Sequence, residues 1–503
     1  MKSIHIQLTE WTEEAFRKAG FPTGFGLVTV SERLELGDYQ CNGALAVAKQ
    51  VGLSPQQVAV AVVAELEQLE VPSHFSIAGP GFINFQLHNH FLLEQANVLF
   101  KDPRLGVESV AQPLLVTIDF GGPNVAKPLH VGHLRTAVIG DCLQKLERFM
   151  GNTVISDVHL GDWGTQMGIV LEGIRLRMPE LSYFERGKTA DFPKESPVTV
   201  DNLAEIYPAE ATRCKAEPAA YAAALATTVR LQAGDPGLRA LWQHCVDVSV
   251  AASRQTYDTL GIHFDVWNGE SSYNLLIAPL LQRLQSEGQA IESNGALIIP
   301  LEGMPPLLLL KTDGAYLYAT TDLAALFERV ESGQQRILYV VDQRQSLHFR
   351  QLFAAARQIA LLPPTVEAEL LGFGTINGSD GKPFKTRAGG VMPLSELIET
   401  VRTRSGERLD ELRTASDFTP DERKSVTEAV TLASLKFADL INNRLTDYVF
   451  DVERVTAFEG KTGPYVLYTA VRIKSLLADV TNLEFNSSSQ LTLPERQVLL
   501  LLH

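Results

Sequence analysis

A short run of the chain near residue 120 combines side chains that suit chemistry on a polyphosphate. Two histidines flank a glycine, a lysine lies just upstream, and an aspartate and an asparagine precede them. Histidine and lysine side chains donate hydrogen bonds to phosphate oxygens and stabilise charge that develops there. The combination favours adenylyl transfer over hydrolysis, a metal site or plain core packing. The residues are Asp119, Asn124, Lys127, His130, Gly132 and His133.

The flanking sequence predicts a strand, a turn and a helix around this run. Residues 113–118 are apolar and predict a buried strand, and glycine and proline follow at once. A helical pattern comes next, with an apolar face formed by Leu134, Val138, Cys142 and Leu146. Such an element places an anion against the N–H groups of a helix N-terminus. Gly132 then leaves room for an adenine base beside the backbone.

A second feature is a polar, glycine-flanked loop at residues 378–390. It carries Lys382, Lys385 and Arg387. By itself, such a loop is typical of a solvated surface. Together with the histidine run, it becomes a candidate second contact to a triphosphate.

Four apolar segments alternate with amphipathic helices in the middle of the chain and predict a parallel sheet with crossover helices. Strands are expected at 113–119, 153–158, 337–341 and 369–375. Residues 175–246 break this rhythm with a loop rich in proline and charge, then an alanine-rich helix from Ala219 to Arg230. This stretch predicts an insertion into the sheet domain.

The two ends of the chain predict further domains. Residues 1–110 predict an α+β module, either a packed accessory domain or a partner-recognition domain. After residue 405 the chain is helical, with capping boxes at Thr419 and Thr492 and a helix expected over 464–478. The last helix ends in leucines that need a partner to bury against. We therefore expect a truncated chain or a fragment of a longer protein.

Bulk composition narrows the class of protein. The chain has 503 residues, enough for about three domains, and its net charge of −15 argues against tight nonspecific DNA binding. There is no signal-peptide core and no apolar run long enough to cross a membrane. Four widely spaced cysteines argue against zinc ribbons and disulfide frameworks and suit a reducing cytoplasm. We expect a cytoplasmic protein.

The motif residues resemble one family. The segment from His130 to His133 matches the HxGH signature of class I aminoacyl-tRNA synthetases, and Pro123 to His130 resembles the arginyl-tRNA synthetases in particular. The segment from His159 to Gln166 is also similar to that family. The resemblance implies an α/β fold with a Rossmann-like catalytic domain over 111–400, which carries HxGH and KMSKS-like motifs. It also implies an N-terminal α+β domain over 1–110 that contacts tRNA. An all-α anticodon-binding domain would cover 401–503 and be incomplete at its C-terminus.

The resemblance also implies the reaction. L-arginine and ATP would form arginyl-adenylate, and the arginyl group would pass to the 3′-terminal adenosine of tRNA(Arg). It implies ATP with Mg²⁺ as substrate, activation that depends on bound tRNA, no zinc and no metal held by the protein. We expect a monomer. Two other readings are a different adenylyl-transferring enzyme with an HxGH motif, and a non-catalytic paralogue that binds tRNA or arginine.

The implied ATP site consists of Gly132, His130, His133, Lys382 and Lys385, with catalysis by His130, His133, Lys127, Lys385 and Arg387. The chain departs from KMSKS, because Thr386 replaces the second lysine. Lys127, just before HxGH, would then supply the missing charge, assisted by Lys385 and Arg387.

A guanidinium is planar and always charged, and carboxylates and aromatic faces hold it best. The resemblance places arginine on Asp119, Asn124, Tyr318, Asp322 and Gln345. Asp322 and Tyr318 would take the guanidinium, and Asp119 and Asn124 the α-amino and carboxylate end. Asp322 has an alternative role as the N-cap of a helix over 323–330.

In the C-terminal helices, the resemblance suggests tRNA contacts. Aromatic and basic side chains suit base stacking and phosphate contacts. The alternative is helix packing for the tyrosines and a solvated face for the charges. The residues are Tyr465, Tyr468, Arg472 and Lys474.

Overall fold

The structure is a computed structural model that describes residues 2–33, 35–311, 316–378, 380–382, 384, 391–412, 418–480, 485 and 490–502. The chain divides into two compact units. One contains residues 1–110 and 477–503, and the other contains residues 111–476.

The first unit begins with an α+β module. Its antiparallel sheet has the strand order β1-β2-β4-β3. Helix α3 starts with a complete capping box, in which Ser54 and Gln57 bond each other's backbone N–H groups. The elements are α1 (Ile4–Lys18), β1 (Val28–Val30), β2 (Tyr39–Cys41), α2 (Gly43–Val51), α3 (Pro55–Gln68), β3 (Ser73–Ala78), β4 (Phe82–Leu87) and α4 (Asn89–Lys101).

The second unit is an α/β fold followed by helices. Its elements, in chain order, are β5 (Leu115–Asp119), α5 (Gly132–Met150), β6 (Thr153–Asp157), α6 (Thr165–Arg177), α7 (Val200–Ala216), α8 (Pro218–Gln232), α9 (Pro236–Thr259), α10 (Asn274–Ser286), β7 (Ile291–Ser293), β8 (Ala296–Ile299), β9 (Leu307–Leu310), α11 (Tyr318–Glu331), β10 (Arg336–Tyr339), α12 (Ser346–Gln358), β11 (Glu367–Leu370), β12 (Ile376–Asn377), α13 (Leu394–Asp410), α14 (Pro420–Leu440), β13 (Tyr448–Val449), α15 (Val452–Val455) and α16 (Gly463–Leu476).

A four-stranded parallel sheet organises this unit. Its strand order is β11-β10-β5-β6, and all neighbouring pairs are parallel. The register aligns Asp119, Tyr339 and Asp157 across the carboxyl ends of three strands. The chain leaves β5 toward β6 on one side and returns as β10 on the other. Ligands bind in the crevice that such a reversal opens.

The insertion between β6 and β10 begins with four helices that have a core of their own. Apolar side chains of α6, α7 and α9 meet around Leu171, Leu203 and Leu241, all fully buried. Helix α8 begins with Pro218 at its first position, where the missing N–H costs nothing. These helices occupy the stretch that the sequence predicted as an insertion.

The helices after residue 394 share a core with the sheet. Leu435 and Phe450 lie in the same apolar cluster as Val116 and Leu338 of β5 and β10. Helix α14 starts at the expected capping box, in which Thr419 accepts from the Glu422 N–H. This part of the expected C-terminal domain therefore packs directly on the catalytic sheet.

Residues 477–503 group with the N-terminal module instead. Helix α17 (Leu493–Leu501) buries Leu499 in that module's core. Arg496 donates to the Leu87 carbonyl at 2.7 Å and pairs with the Asp38 carboxylate. Other apolar side chains of α17 stay outside, since Val498 is 56% and Leu501 86% exposed. The sequence assigned this segment to the helical C-terminal domain, because helical periodicity does not identify the packing partner.

The α/β fold with a parallel sheet is confirmed. One packing prediction is wrong: Leu134 and Val138 of α5 are buried, but Leu146 is 54% exposed. Periodicity identified the apolar face of α5, but not how far along the helix the neighbouring layer extends. Among the described residues, no helix combines the length and apolarity needed to cross a bilayer.

Candidate active site

A cavity of about 220 Å³ lies at the carboxyl ends of β5 and β10, where the strand order reverses. We call it the histidine cavity. One wall comes from the segment after β5 and the start of α5, and the other from the segment after β10. Its lining includes Asp119, Gly121, His130, Gly132, His133, Asp342, Gln345 and Phe373.

Both histidines contact backbone groups of one turn through Nδ1. The Gly132 N–H donates to Nδ1 of His130 at 3.1 Å, so the neutral His130 ring carries its proton on Nε2. Nδ1 of His133 lies 3.0 Å from the His130 N–H and 3.2 Å from the His130 carbonyl, so it has a backbone partner in either tautomer. The two rings lie 4.0 Å apart, centroid to centroid, at the first turn of α5.

The surroundings keep these imidazoles neutral. Burial, and then the neighbouring His130, lower the pKa of His133 to about 3. Burial and the Lys127 charge also lower the pKa of His130. A side chain at Gly132 would collide with the His130 ring, since an added Cβ would lie 2.8 Å from Cε1. Glycine at this position therefore leaves room for the observed orientation of the His130 ring.

Lys127 lies close to this pair but does not line the histidine cavity. Its ammonium lies 4.6 Å from the centroid of the Tyr207 ring. It also lines a separate polar cavity of about 340 Å³ between α7, α9 and α13. Its charge still reaches the histidines, as their lowered pKa values show.

The segment that follows the basic loop is fixed beside the histidines by backbone hydrogen bonds. Residues 129–131 pair with 392–394: the Val131 N–H donates to the Met392 carbonyl at 3.0 Å, and the Leu394 N–H donates to the Leu129 carbonyl at 2.8 Å. Lys382 is described and exposed, in a turn where its N–H donates to Asp380. Lys385, Thr386 and Arg387 lie outside the described residues.

A second cavity, of about 150 Å³, lies on the other side of the segment around Asn124. We call it the Asn124 cavity. Asn124, Glu270 and Tyr318 line it together with Gly161, Trp163 and Gln166. Gly161 makes the exposed position of Asn124 possible, since an added Cβ would lie 2.4 Å from the asparagine Oδ1. Of the expected arginine residues, Asn124 and Tyr318 therefore meet here, whereas Asp119 and Gln345 line the histidine cavity.

Asp322 lies between two histidines. Nε2 of His348 is 2.6 Å from one carboxylate oxygen, and Nε2 of His159 is 3.9 Å from the other. Helix α11 already begins at Tyr318 with Leu317 as its N-cap. Asp322 therefore does not cap this helix. Tyr318 and Asp322 are four residues apart on α11 and share one face.

Glu270 is the site residue that the sequence did not identify. Burial, followed by the charges of Asp322 and Asp162, raises its pKa to about 8. Among the described residues, no lysine, arginine or histidine lies within ion-pair distance of it. A partly buried carboxylate near another acid and lining a cavity is suited to a cation. The sequence signal was weak, a single acid in Trp267-Asn-Gly-Glu270.

Neighbouring residues hold Glu270 in place. Asp162 accepts from the Ser271 backbone N–H at 2.9 Å and from its hydroxyl at 2.5 Å. Gln166 donates to the Val125 carbonyl at 2.6 Å. Asp162 and Gln166 therefore fix the loops around the Asn124 cavity.

Asp119, which lines the histidine cavity, is part of a buried ion network. Nη2 of Arg329 donates to Asp119 at 2.7 Å and to Asp157 at 2.8 Å. Burial lowers the pKa of the Arg329 guanidinium, but the two carboxylates outweigh it and hold that pKa well above its ordinary value. Asp119, Asp157 and His159 have ligand atoms within 4.8 Å of one another, as a metal site would require. Arg329 already supplies the positive charge there.

The expected tRNA residues lie on the exposed side of α16. Tyr465 and Tyr468 are each 46% exposed, and the Arg472 guanidinium lies 5.8 Å from the Tyr468 ring. Lys474 is exposed on the same helix. Apolar residues of the same helix, such as Val466 at 51% and Val471 at 55%, are exposed to a similar degree, so exposure does not choose between tRNA contact and helix packing for the tyrosines.

Two family models match the chain. Residues 94–452 match the model described as "tRNA synthetases class I (R), catalytic domain". Residues 7–87 match "Arginyl tRNA synthetase N terminal domain".

Similar proteins agree with these models. The chain is 44% identical to the arginine–tRNA ligase of Alkaliphilus oremlandii, over 99% of this chain and 86% of that protein. It is 43% identical to the arginine–tRNA ligase of Francisella tularensis subsp. novicida, over 95% of this chain and 81% of that protein. Its fold matches the arginyl-tRNA synthetase of Plasmodium falciparum at a TM-score of 0.81 and 23% identity, over 99% and 86%. Its fold also matches the Thermus thermophilus arginyl-tRNA synthetase at a TM-score of 0.76 and 23% identity, over 99% of this chain and 86% of that one.

The histidine pair at the strand-order reversal and the carboxylates beside it agree with these matches. The catalytic-domain model spans more than half of the chain, and the two ligases resemble it over nearly its whole length. The chain therefore belongs to the arginyl-tRNA synthetase family of class I aminoacyl-tRNA synthetases, and its activity is that of an arginine–tRNA ligase.

Proposed function

We propose that arginine activation takes place across the histidine cavity and the Asn124 cavity, with ATP in the first and the arginine side chain in the second. The observation that carries this proposal is Glu270, a partly buried carboxylate near Asp322 that has no ion-pair partner among the described residues, although Lys311 lines the same cavity. A guanidinium between these acids would relieve their mutual repulsion and the cost of burial.

The guanidinium subsite combines Glu270, Asp322 and Tyr318. His348 bonds one oxygen of Asp322 at 2.6 Å, and His159 lies 3.9 Å from the other, so the guanidinium would approach that second oxygen beside His159. Tyr318 is at the rim, where its ring can cover the planar guanidinium. Two carboxylates and one aromatic face select a planar cation over the compact ammonium of lysine.

The other end of arginine would face the histidine cavity. Asn124 lies on the segment between the cavities, and Gln345 lines the histidine cavity beyond it. Asp119, held by Arg329, adds negative charge near the α-amino group. This arrangement directs the arginine carboxylate toward ATP.

The histidines and the lysine would then act on ATP, which enters with Mg²⁺ as substrate. A carboxylate oxygen of arginine attacks the α-phosphorus, and the bond from that phosphorus to the pyrophosphate oxygen breaks. The Nε2–H groups of His130 and His133 donate to the phosphate oxygens as they gain charge. Lys127, with Lys382, Lys385 and Arg387 of the basic loop, neutralises the departing pyrophosphate.

The tRNA partner would contact surfaces outside these cavities. We propose the N-terminal module and the exposed side of α16, with Tyr465, Tyr468, Arg472 and Lys474, as contact surfaces for tRNA(Arg), whose terminal adenosine receives the arginyl group. The described cysteines form no disulfide, which suits the cytoplasm.

Arginine-dependent ATP–pyrophosphate exchange, run with and without tRNA(Arg), tests the proposal. We expect exchange with arginine, and a much larger loss for Lys127→Ala than for Thr386→Ala. Exchange with another amino acid would contradict the arginine assignment. Equal losses for the two variants would refute the transfer of the KMSKS lysine's role to residue 127.

A further inference from the structure

Tyr207 lies on the insertion, away from the motifs that define the reaction, yet its ring faces a proposed catalytic lysine. The Lys127 ammonium lies 4.6 Å from the ring centroid, within the range of a cation–π contact. Among the described residues, no carboxylate lies within ion-pair distance of that ammonium. An aromatic face holds an ammonium without neutralising it, so Lys127 keeps its full charge for a phosphate.

The backbone of Lys127 is fixed, which leaves its side chain to be directed by its neighbours. The Lys127 N–H donates to the Asn124 carbonyl at 3.2 Å, closing a turn. Ala126 in this turn has a positive φ of 64°, and its N–H donates to the Ser249 hydroxyl on α9 at 3.0 Å. A four-carbon side chain on a fixed backbone still has many rotamers. The Tyr207 ring selects among them.

Helix α7 is built to present this ring. Thr199 and Asn202 form a complete capping box at its start, which fixes the first turn. Pro208 follows Tyr207 inside the helix, and its missing N–H bends a helix at such a point. Tyr207 is half-buried. The pKa of Tyr318 is raised chiefly by burial, then by Glu270, and to a smaller extent by Tyr207. The ring therefore contacts the lysine at 4.6 Å and is near enough to Tyr318 to affect its pKa.

We propose that Tyr207 is a positioning residue that holds the Lys127 ammonium uncompensated and ready for the ATP triphosphate, and so links insertion helix α7 to catalysis. This inference rests on the proposed role of Lys127. Losing the ring face should cost about fivefold to thirtyfold in kcat/KM for ATP, as expected for a partly desolvated cation–π contact.

A double-mutant cycle between Tyr207 and Lys127 tests the proposal by ATP–pyrophosphate exchange, with the ATP dissociation constant measured by calorimetry for each variant. Tyr207→Phe keeps the ring and should stay within about twofold of the parent, whereas Tyr207→Leu should show the full loss with an unchanged KM for arginine. In a Lys127→Ala background, Tyr207→Leu should have almost no further effect. Tyr221→Leu, at an exposed tyrosine on α8, is the matched control.

The possible results separate this inference from the proposed function. Equal losses for Tyr207→Leu with and without Lys127 would overturn the positioning role, because a purely structural tyrosine acts independently of the lysine. Tyr207→Phe as damaging as Tyr207→Leu would also overturn it. If Lys127→Ala alone exchanges at the parent rate, the proposed role of Lys127 fails, and the positioning role fails with it.

Discussion

Replacing Glu270 by glutamine tests whether this carboxylate holds the arginine guanidinium. Glutamine keeps the size and shape of the side chain but cannot ionise. The Glu270 carboxylate lies in the Asn124 cavity beside Asp322 and has a pKa raised to about 8 by burial and by neighbouring acids. The empty site therefore holds a proton at neutral pH, which a guanidinium must displace.

The size of the effect follows from this pKa. At pH 7 about one-tenth of the empty sites are ionised, so deprotonation costs the ligand about 1.4 kcal/mol. Affinity for arginine should rise about tenfold between pH 7 and pH 9 and then level off. The glutamine variant loses a charge-assisted hydrogen bond, about 1.5–3 kcal/mol. It should bind about tenfold to a hundredfold more weakly at pH 8.5, and the difference should shrink toward pH 6.5.

Isothermal titration with L-arginine between pH 6.5 and pH 8.5 measures this dependence. Repeating it in two buffers of different ionisation enthalpy counts the protons released on binding. We expect nearly one proton per arginine at pH 7 for the parent and none for Glu270→Gln. The α-amino group of the ligand titrates equally in both proteins. Glu292→Gln, at an exposed acid on β7, controls for net charge.

Two results would refute the reasoning. If Glu270→Gln keeps the pH dependence of the parent, another group titrates on binding. If it binds arginine as tightly as the parent at pH 8.5, the carboxylate does not contact the guanidinium.

Three further predictions concern the same site. His348→Ala should raise the KM for arginine about tenfold with little change in kcat, because Asp322 loses a charge-assisted hydrogen bond. His348→Asn should recover part of the lost affinity, and a loss in kcat alone, measured by pyrophosphate exchange, would contradict the prediction. Gly161→Ala should push Asn124 aside and lower kcat/KM for arginine at least about tenfold, while urea unfolding shows a change of about 1 kcal/mol; unaltered kinetics would argue against a substrate contact by Asn124. Because the folded-state pKa of Glu270 is raised, its contribution to stability is present below the unfolded-state pKa and is lost as the pH rises toward 8. Glu270→Gln should therefore gain up to about 4 kcal/mol relative to the parent between pH 5 and pH 9 in urea unfolding, and a constant difference would contradict the raised value.

The sequence by itself determined the features that local signals encode. Glycine, proline and capping residues set the starts of α5, α8 and α14, because these residues act on the backbone within one turn. Apolar runs located β5, β6 and β10, whereas the strand expected at 369–375 overlaps β11 (Glu367–Leu370) by only two residues, because β11 is short and only partly buried. The parallel arrangement brought the motifs after β5 and β10 to one edge. The adenylyl-transfer hypothesis needed only the residue types in one short run of chain.

The tertiary structure decided which side chains meet. Glu270 beside Asp322, Tyr207 over Lys127 and the packing of α17 on the N-terminal module join residues tens to hundreds of positions apart. Sequence patterns report which face of an element is apolar or charged. They do not report which distant element covers that face, and the charge, protonation and direction of a buried side chain depend on that partner.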